Sequence, residues 1–292
     1  MLTGGIGFFD SGVGGLSVLS ACLQTVGDYP IYYYGDNQRA PYGNRSFNEI
    51  RAYVREAFSF LSTLRPRAVV VACNTVTALM IDELREIYSF PIIGVEPAVL
   101  PAVRRGGKVL VLATKATAES LRIKRLIDRA KRFNPEAEVT VKGCPRLAAM
   151  VEGGFQSQKI DFEAEFPPVN ADRVVLGCTH YSFLKERISR FYGAEVFDGN
   201  AAVAKRLQFV LSESALGGRL VNDCKGESLA VRMLRRLPFI RPFKKPKKGG
   251  FRVKKGSGFR TVKNALLLYF VGSGSSFNCQ FYERMFVFGK KG

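Results

Sequence analysis

Two stretches about a hundred residues apart repeat one pattern of apolar and polar positions. Residues 69–79 read VVVACNTVTAL and residues 174–184 read VVLGCTHYSFL. In each, a β-branched apolar run meets a small residue, a cysteine and a short polar segment, and an apolar helix-like stretch follows. A short apolar run bounded by turn residues has the pattern of a buried strand. A Thr just beyond it suits a helix start, where its hydroxyl can accept an orphan backbone N–H. Each stretch therefore predicts strand, cysteine, polar turn, helix. The two cysteines, Cys73 and Cys178, stand 105 residues apart.

A second echo has nearly the same offset. Ile6–Ser11 (IGFFDS) leads into Gly12–Leu19, and Val109–Thr114 (VLVLAT) leads into an expected helix over 116–132. Ser11 and Thr114 lie 103 residues apart. This is far beyond the usual solenoid period of roughly 20–50 residues, so the pattern reads as a duplication. Between these units, residues 46–64 predict a helix. Ser46 and Glu49 have capping-box spacing, and Phe47, Ile50, Val54, Phe58 and Leu61 share one face. Residues 91–101 (PIIGVEPAVLP) read as a strand and a Pro-marked crossover between halves. The expected fold is α/β: two pseudosymmetric α/β domains with mostly parallel sheets and the active site in the cleft between them. The first comprises residues 1–97 and 203–292, the second residues 98–202. Ligands of open α/β sheets bind outside the strand C-termini, so one cysteine would approach the cleft from each side.

Composition fits this architecture. The 292 residues, 47% of them hydrophobic, can build two modest cores. No apolar run reaches a membrane span. The opening MLTGGIGFFD lacks the pattern of a signal peptide, so a cytoplasmic location is expected. The six cysteines, Cys22, Cys73, Cys144, Cys178, Cys224 and Cys279, form no C-x-x-C pair, and a cytoplasmic chain would keep them reduced. Zinc is a weak alternative, because Cys178-x-His180 has no second pair with ligand spacing.

His180 is the only histidine in the chain. A lone His is more often a packing residue than a catalyst, but this one is two places from a thiol and follows a predicted strand end. Other motif readings fail. Gly12-Val-Gly14-Gly15-Leu-Ser17 has Ser where a dinucleotide fingerprint needs its third glycine, although its backbone N–H groups would suit a carboxylate. No phosphate-loop signature is present. No nucleophile elbow surrounds Ser11 or Ser182.

The segments DSGVGGLSV (10–18), YYGDNQRAPYGNRS (33–46), VVACNTVTAL (70–79), GVEPAV (94–99) and VVLGCTHYSFL (174–184) resemble, in order, the motifs of glutamate racemases, within the cofactor-independent aspartate/glutamate racemase superfamily. The resemblance covers residues 4–210, and its PYG-x-R element is particular to the glutamate branch. It implies the two-domain pseudosymmetric fold, supply of D-glutamate for peptidoglycan and no cofactor. Racemisation removes a weakly acidic Cα proton and returns one to the opposite face, which two thiols can do as base and acid. A free thiol near pKa ~8.5 is mostly protonated at neutral pH, so one must be activated; a helix N-terminus after each cysteine would favour the thiolate.

By resemblance, Cys73 acts on D-glutamate with Asp10 assisting, and Cys178 acts on L-glutamate with His180 assisting and Glu152 as a further helper. Asp10, Ser11, Tyr42, Gly43, Asn74, Thr75, Thr114, Thr179 and His180 match the family's substrate contacts. Structural alternatives stand beside these: Asp10, Thr75, Thr114 and Thr179 are also good helix caps. Cys22, Cys144, Cys224 and Cys279 match no motif and read as packing thiols. Glutamate is the expected small-molecule partner, and a homodimer an expected assembly of undefined geometry.

One feature has no counterpart in the family. The formal net charge is +19, and residues 221–292 carry +14 of it. Within 238–263 there are ten basic residues and no acid, interleaved with Phe239, Phe243, Phe251 and Phe259. Pro, Gly and like charges mark this stretch as an inserted, mobile loop expected to bind polyanions non-specifically. Two other readings remain open. One is an aspartate racemase. The other is a nucleic-acid or anionic-surface binder on a racemase scaffold, against which the matched thiols count.

Overall fold

A computed structural model describes residues 4–217, apart from 24, 27–28 and 155–160. The basic stretch 238–263, together with Cys224 and Cys279, lies outside the described residues.

The first half begins with β1 (Ile6–Asp10), α1 (Leu16–Cys22) and β2 (Ile31–Gly35). A 3-10 turn at Tyr42–Asn44 precedes α2 (Phe47–Thr63), β3 (Ala68–Val71), α3 (Asn74–Ile87) and β4 (Ile92–Gly94). Next come α4 (Val99–Arg104), β5 (Lys108–Ala113), α5 (Lys115–Glu119), α6 (Leu121–Lys131), β6 (Glu138–Gly143) and α7 (Leu147–Gly154). Then β7 (Arg173–Gly177), a 3-10 turn at Thr179–Leu184, α8 (Lys185–Tyr192), β8 (Glu195–Phe197) and α9 (Asn200–Gly217) follow.

Two four-stranded sheets result, ordered β2-β1-β3-β4 and β6-β5-β7-β8. Every strand pair in them is parallel. The two orders are the same once the second half is renumbered, so β1 corresponds to β5 and β3 to β7. The duplicated pattern in the sequence is thus a duplicated fold. The central strands are apolar throughout because helices cover both faces; Val69, Val70 and Val71 are fully buried, as are Val174 and Val175. One core cluster runs through both halves, joining Ile6, Phe8 and Val70 to Leu110, Leu112, Val174 and Leu176 beneath α1, α7 and α9. The other face of the first sheet packs on α2 and α3, and that of the second on α4 and α6. The last helix, α9, returns to pack on α1, β3 and β4.

Local sequence signals account for the boundaries. The Ser46 side chain accepts from the Glu49 N–H and the Glu49 carboxylate accepts from the Ser46 N–H, the capping box that starts α2. Of its predicted apolar face, Ile50, Val54, Phe58 and Leu61 are buried, but Phe47 is 46% exposed. It stands in the first turn, beyond the edge of the core. The single helix expected over 116–132 is two helices. Ser120 adopts an extended backbone and caps α6 through its hydroxyl, breaking the run. Cys178 is followed by a 3-10 turn rather than directly by an α-helix.

Candidate active site

The ends of four strands converge at the junction of the halves. Asp10 is the last residue of β1, Cys73 lies just past β3, Thr114 follows β5 and Cys178 follows β7. The matched offsets of 103 and 105 residues therefore put the Ser11 and Thr114 hydroxyls, and the two thiols, at equivalent places in two equivalent sheets. Asp10, Ser11, Cys73, Asn74, Thr75, Thr114, Cys178, Thr179 and His180 are all buried, though they are polar or ionisable. Such groups lose much of their hydration, so each needs partners.

Around Cys73, the thiol donates to the Ser11 hydroxyl at 3.5 Å. Burial pushes its pKa up to about 12; the nearby Asp10 adds to the rise, and the Val76 N–H and Ser11 work against it. A helix N-terminus was expected to favour the thiolate here, and burial acts in the opposite direction. Cys73 does occupy the N-cap of α3, but desolvation outweighs the helix end. Asp10 is also raised, from 3.8 to about 7, chiefly by complete burial, while His180 and the N–H groups of Gly12 and Gly15 pull it down. Its Oδ2 accepts from the Gly12 N–H at 2.8 Å, and its Oδ1 accepts from the Thr179 hydroxyl across the junction at 3.3 Å.

Around Cys178, the sulfur lies 3.6 Å from His180 Nδ1, and His180 Nε2 lies 2.5 Å from Glu152 Oε1. Burial opposes the imidazolium, yet hydrogen bonds from Cys178 and Glu152 together outweigh it and raise the His180 pKa well above its usual value. Glu152 Oε1 also accepts from the Val13 N–H at 2.8 Å. The backbone amides at residues 12 and 13, expected to suit a ligand's carboxylate, are thus held by the chain's own Asp10 and Glu152.

The remaining candidates gather at the same place. Thr114 caps α5, and its hydroxyl contacts those of Thr75 and Thr117, each at 3.0 Å. Thr114 is thus both cap and junction contact. Thr75 is not a cap, since Cys73 holds that position. The Asn74 amide donates to the Val95 carbonyl. Gly43 sits so close to Thr114 that a Cβ there would lie 2.6 Å from the Thr114 Cβ. Tyr42 is fully buried and turned away, donating to Asp36. The sequence motifs do not single out Asp36 and Arg39, although both stand inside the segment that carries Tyr42 and Gly43. Two charged residues in a turn between a buried strand and a capped helix were the available signal.

The other described cysteines, Cys22 and Cys144, are buried and free, each pushed by burial to about 12. Among the described residues no group of three or more His, Cys, Asp or Glu is placed to hold a metal ion. No described helix is long and apolar enough to cross a membrane. A cavity of about 650 Å³ opens instead beside β4 and α9, lined by Arg85, Glu96, Arg122 and Arg206 among others. It holds neither thiol and none of their partners, so the candidate chemistry lies at the closed junction rather than in this open cleft.

Two like α/β halves each bring a thiol to the end of an equivalent strand, with Ser11 beside Cys73 and His180 beside Cys178. The model of the Asp/Glu/Hydantoin racemase family matches residues 6–207, and the chain belongs to that family. It is 38% identical over 226 residues to the glutamate racemase of Clostridium perfringens (strain SM101 / Type A), an overlap spanning 74% of this chain and 86% of that protein. Among solved structures, Escherichia coli glutamate racemase in complex with L-glutamate and the activator UDP-MurNAc-ala is 28% identical, with a TM-score of 0.65, covering 80% of this chain and 92% of that one. Glutamate racemase from Francisella tularensis in complex with D-glutamate is 30% identical, with a TM-score of 0.62 and the same coverages.

Proposed function

We propose that this chain is a glutamate racemase that interconverts L- and D-glutamate by two-base proton transfer between Cys178 and Cys73, supplying D-glutamate for peptidoglycan in the cytoplasm. The observation that carries the reading is the pairing of each thiol with its own proton-handling group: Cys178 with His180 at 3.6 Å, and Cys73 beside Asp10. The first domain of this enzyme would comprise residues 1–97 and 203–292, and the second residues 98–202.

The proposed chemistry follows from the electrostatics. His180 holds its proton readily, so an imidazolium faces the Cys178 sulfur and stabilises the thiolate. That thiolate takes the Cα proton of L-glutamate. Cys73, protonated at neutral pH, returns a proton to the opposite face. In the reverse direction Cys73 must first lose its proton, and ionised Asp10, near enough to raise the Cys73 pKa, is the proposed acceptor. Glu152 holds the His180 ring by its far nitrogen, fixing which nitrogen faces the thiol. Ser11, Asn74, Thr75, Thr114, Thr179 and the Tyr42–Gly43 main chain, which match the family's substrate contacts, would bind glutamate.

The test is racemisation without added cofactor, offered L-glutamate and L-aspartate separately. The expected result is turnover of glutamate and not of aspartate. In D₂O, early D-glutamate should carry deuterium at Cα while remaining L-glutamate stays protiated. Equal early labelling of both pools would point to one shared base and overturn the two-thiol assignment. Faster turnover of aspartate would overturn the substrate.

A further inference from the structure

The segment between β2 and α2 carries a buried charged assembly that the thiol chemistry does not use. The Asp36 side chain is 2% exposed. It accepts a short hydrogen bond from the Tyr42 hydroxyl, and Arg39 Nε lies 2.6 Å from the same Oδ2. Arg39 reaches on to Glu56 of α2 at 2.7 Å, and its guanidinium lies over the Tyr53 ring, 4.3 Å from the centroid. The Tyr42 ring is packed against Phe9 of β1 and Tyr53 of α2. The Asp36 N–H donates to the Asp10 carbonyl, which ties the assembly to the end of β1.

Two features of this arrangement matter. Tyr42 spends its hydroxyl on Asp36, so what residues 42–43 can offer a ligand is main chain. That main chain also rides directly on Thr114 of the other half, with no room for a methyl group at Gly43. Main chain so placed must be held to within a fraction of an ångström to present a useful contact. An Asp, Arg and Glu chain from β2 to α2 is a rigid way to hold it, because a planar guanidinium bridging two carboxylates and stacked on a ring has few alternative geometries.

We propose that Arg39, acting through Asp36, is a positioning residue that fixes the Tyr42–Gly43 main chain where substrate docks. The proposal rests on the racemase reading above. Arg39 touches neither thiol partner, so its loss acts on docking rather than on proton transfer.

The test is steady-state kinetics in both directions for the full chain and for Arg39→Met, Arg39→Lys and Glu56→Gln. Arg39→Met should raise KM for both enantiomers on the order of tenfold, leaving kcat and the Cα-deuterium isotope effect within about twofold. Arg39→Lys keeps the charge but loses the fork, and should fall between Met and the native chain. Glu56 is largely exposed, so Glu56→Gln will fold and should give a smaller rise in KM of the same kind. Unchanged KM in folded Arg39→Met, or a fall in kcat with KM unchanged, overturns the proposal while leaving the racemase reading intact. If Arg39→Met does not fold, Arg39→Lys and Glu56→Gln decide on the same readouts, and native KM in both overturns it. If the unsubstituted chain does not racemise glutamate, the racemase reading fails and the proposal falls with it.

Discussion

Cys178 Sγ and His180 Nδ1 lie 3.6 Å apart although only one residue separates them in the chain. The 3-10 turn that starts at Thr179 makes this approach possible, since its tighter winding folds the histidine back toward the residue that precedes the turn. Glu152 then fixes the ring from the opposite side. No histidine stands beside Cys73, whose partners are Ser11 and Asp10. The two halves match in fold and differ in acid–base equipment.

That asymmetry gives the first prediction. His180→Asn should slow proton removal from L-glutamate by about 10²–10⁴-fold, the range of a lost general acid–base partner. The equilibrium between enantiomers is fixed by their equal energies, so the damage must appear in the kinetics. Primary deuterium isotope effects should rise more with L-glutamate labelled at Cα than with the D isomer. Identical changes in both directions would break the assignment of His180 to Cys178.

Asp10 gives the second, with opposite signs for stability and activity. Its folded pKa of about 7 stands above the ordinary 3.8. The folded state therefore holds this proton more tightly than the unfolded chain. The stability it contributes is fully present below pH 3.8 and is lost as pH rises through 7. Denaturant melts of the native chain should lose stability between about pH 4 and 7, and Asp10→Asn should flatten that loss. Racemisation from D-glutamate should instead rise through pH 7, as Asp10 ionises and can accept from Cys73. A native-like pH dependence of stability in Asp10→Asn would remove Asp10 as its origin.

Much of this was legible in the sequence. The apolar runs at 69–71 and 174–176 fit buried strands, and their repeat at a fixed offset exposed the two halves. The cysteines, His180 and the threonines stand at strand ends, so topology brings them together with little else needed. Less visible were features set by desolvation and long-range contact. A helix start after Cys73 favours the thiolate, and the opposing effect of burial is not visible in the sequence. Glu152 meets His180 and the Val13 N–H through contacts 28 and 139 residues apart in the chain, which no local pattern reports. The same holds for Arg39, whose partner Glu56 lies on the next helix.

The basic stretch gives a third prediction, argued from charge alone. Ten cations without an acid within 238–263 will hold RNA or DNA weakly at low salt. Replacing residues 238–263 by a short Gly/Ser linker should abolish that retention and leave racemisation within about twofold, because no candidate catalytic residue falls in the stretch. Loss of activity in folded, deleted protein would tie the stretch to the enzyme. Tight preference for one nucleic-acid sequence at physiological salt would instead favour a dedicated binding role.

The last prediction contrasts two glycines at the same junction. A Cβ on Gly14 would lie 2.5 Å from both His180 Nδ1 and Thr179 Oγ1, closer than real Cβ contacts come. Both neighbours are themselves pinned, His180 by Glu152 and Thr179 by Asp10, so neither can yield without breaking the site. Gly14→Ala should therefore cost at least about 100-fold in kcat/KM, the scale expected when reacting groups shift by about 1 Å. Gly153 is one residue from Glu152 in the last turn of α7, and a Cβ there meets nothing within 4 Å. Gly153→Ala should leave stability within about 1 kcal/mol, any gain coming from reduced freedom of the unfolded chain, without touching activity. Thermal melts and racemisation rates on the two variants check both halves of the contrast. Native activity in Gly14→Ala would mean that His180 is not held as tightly against the first half as its contacts imply, and the role assigned to Glu152 would fall with it.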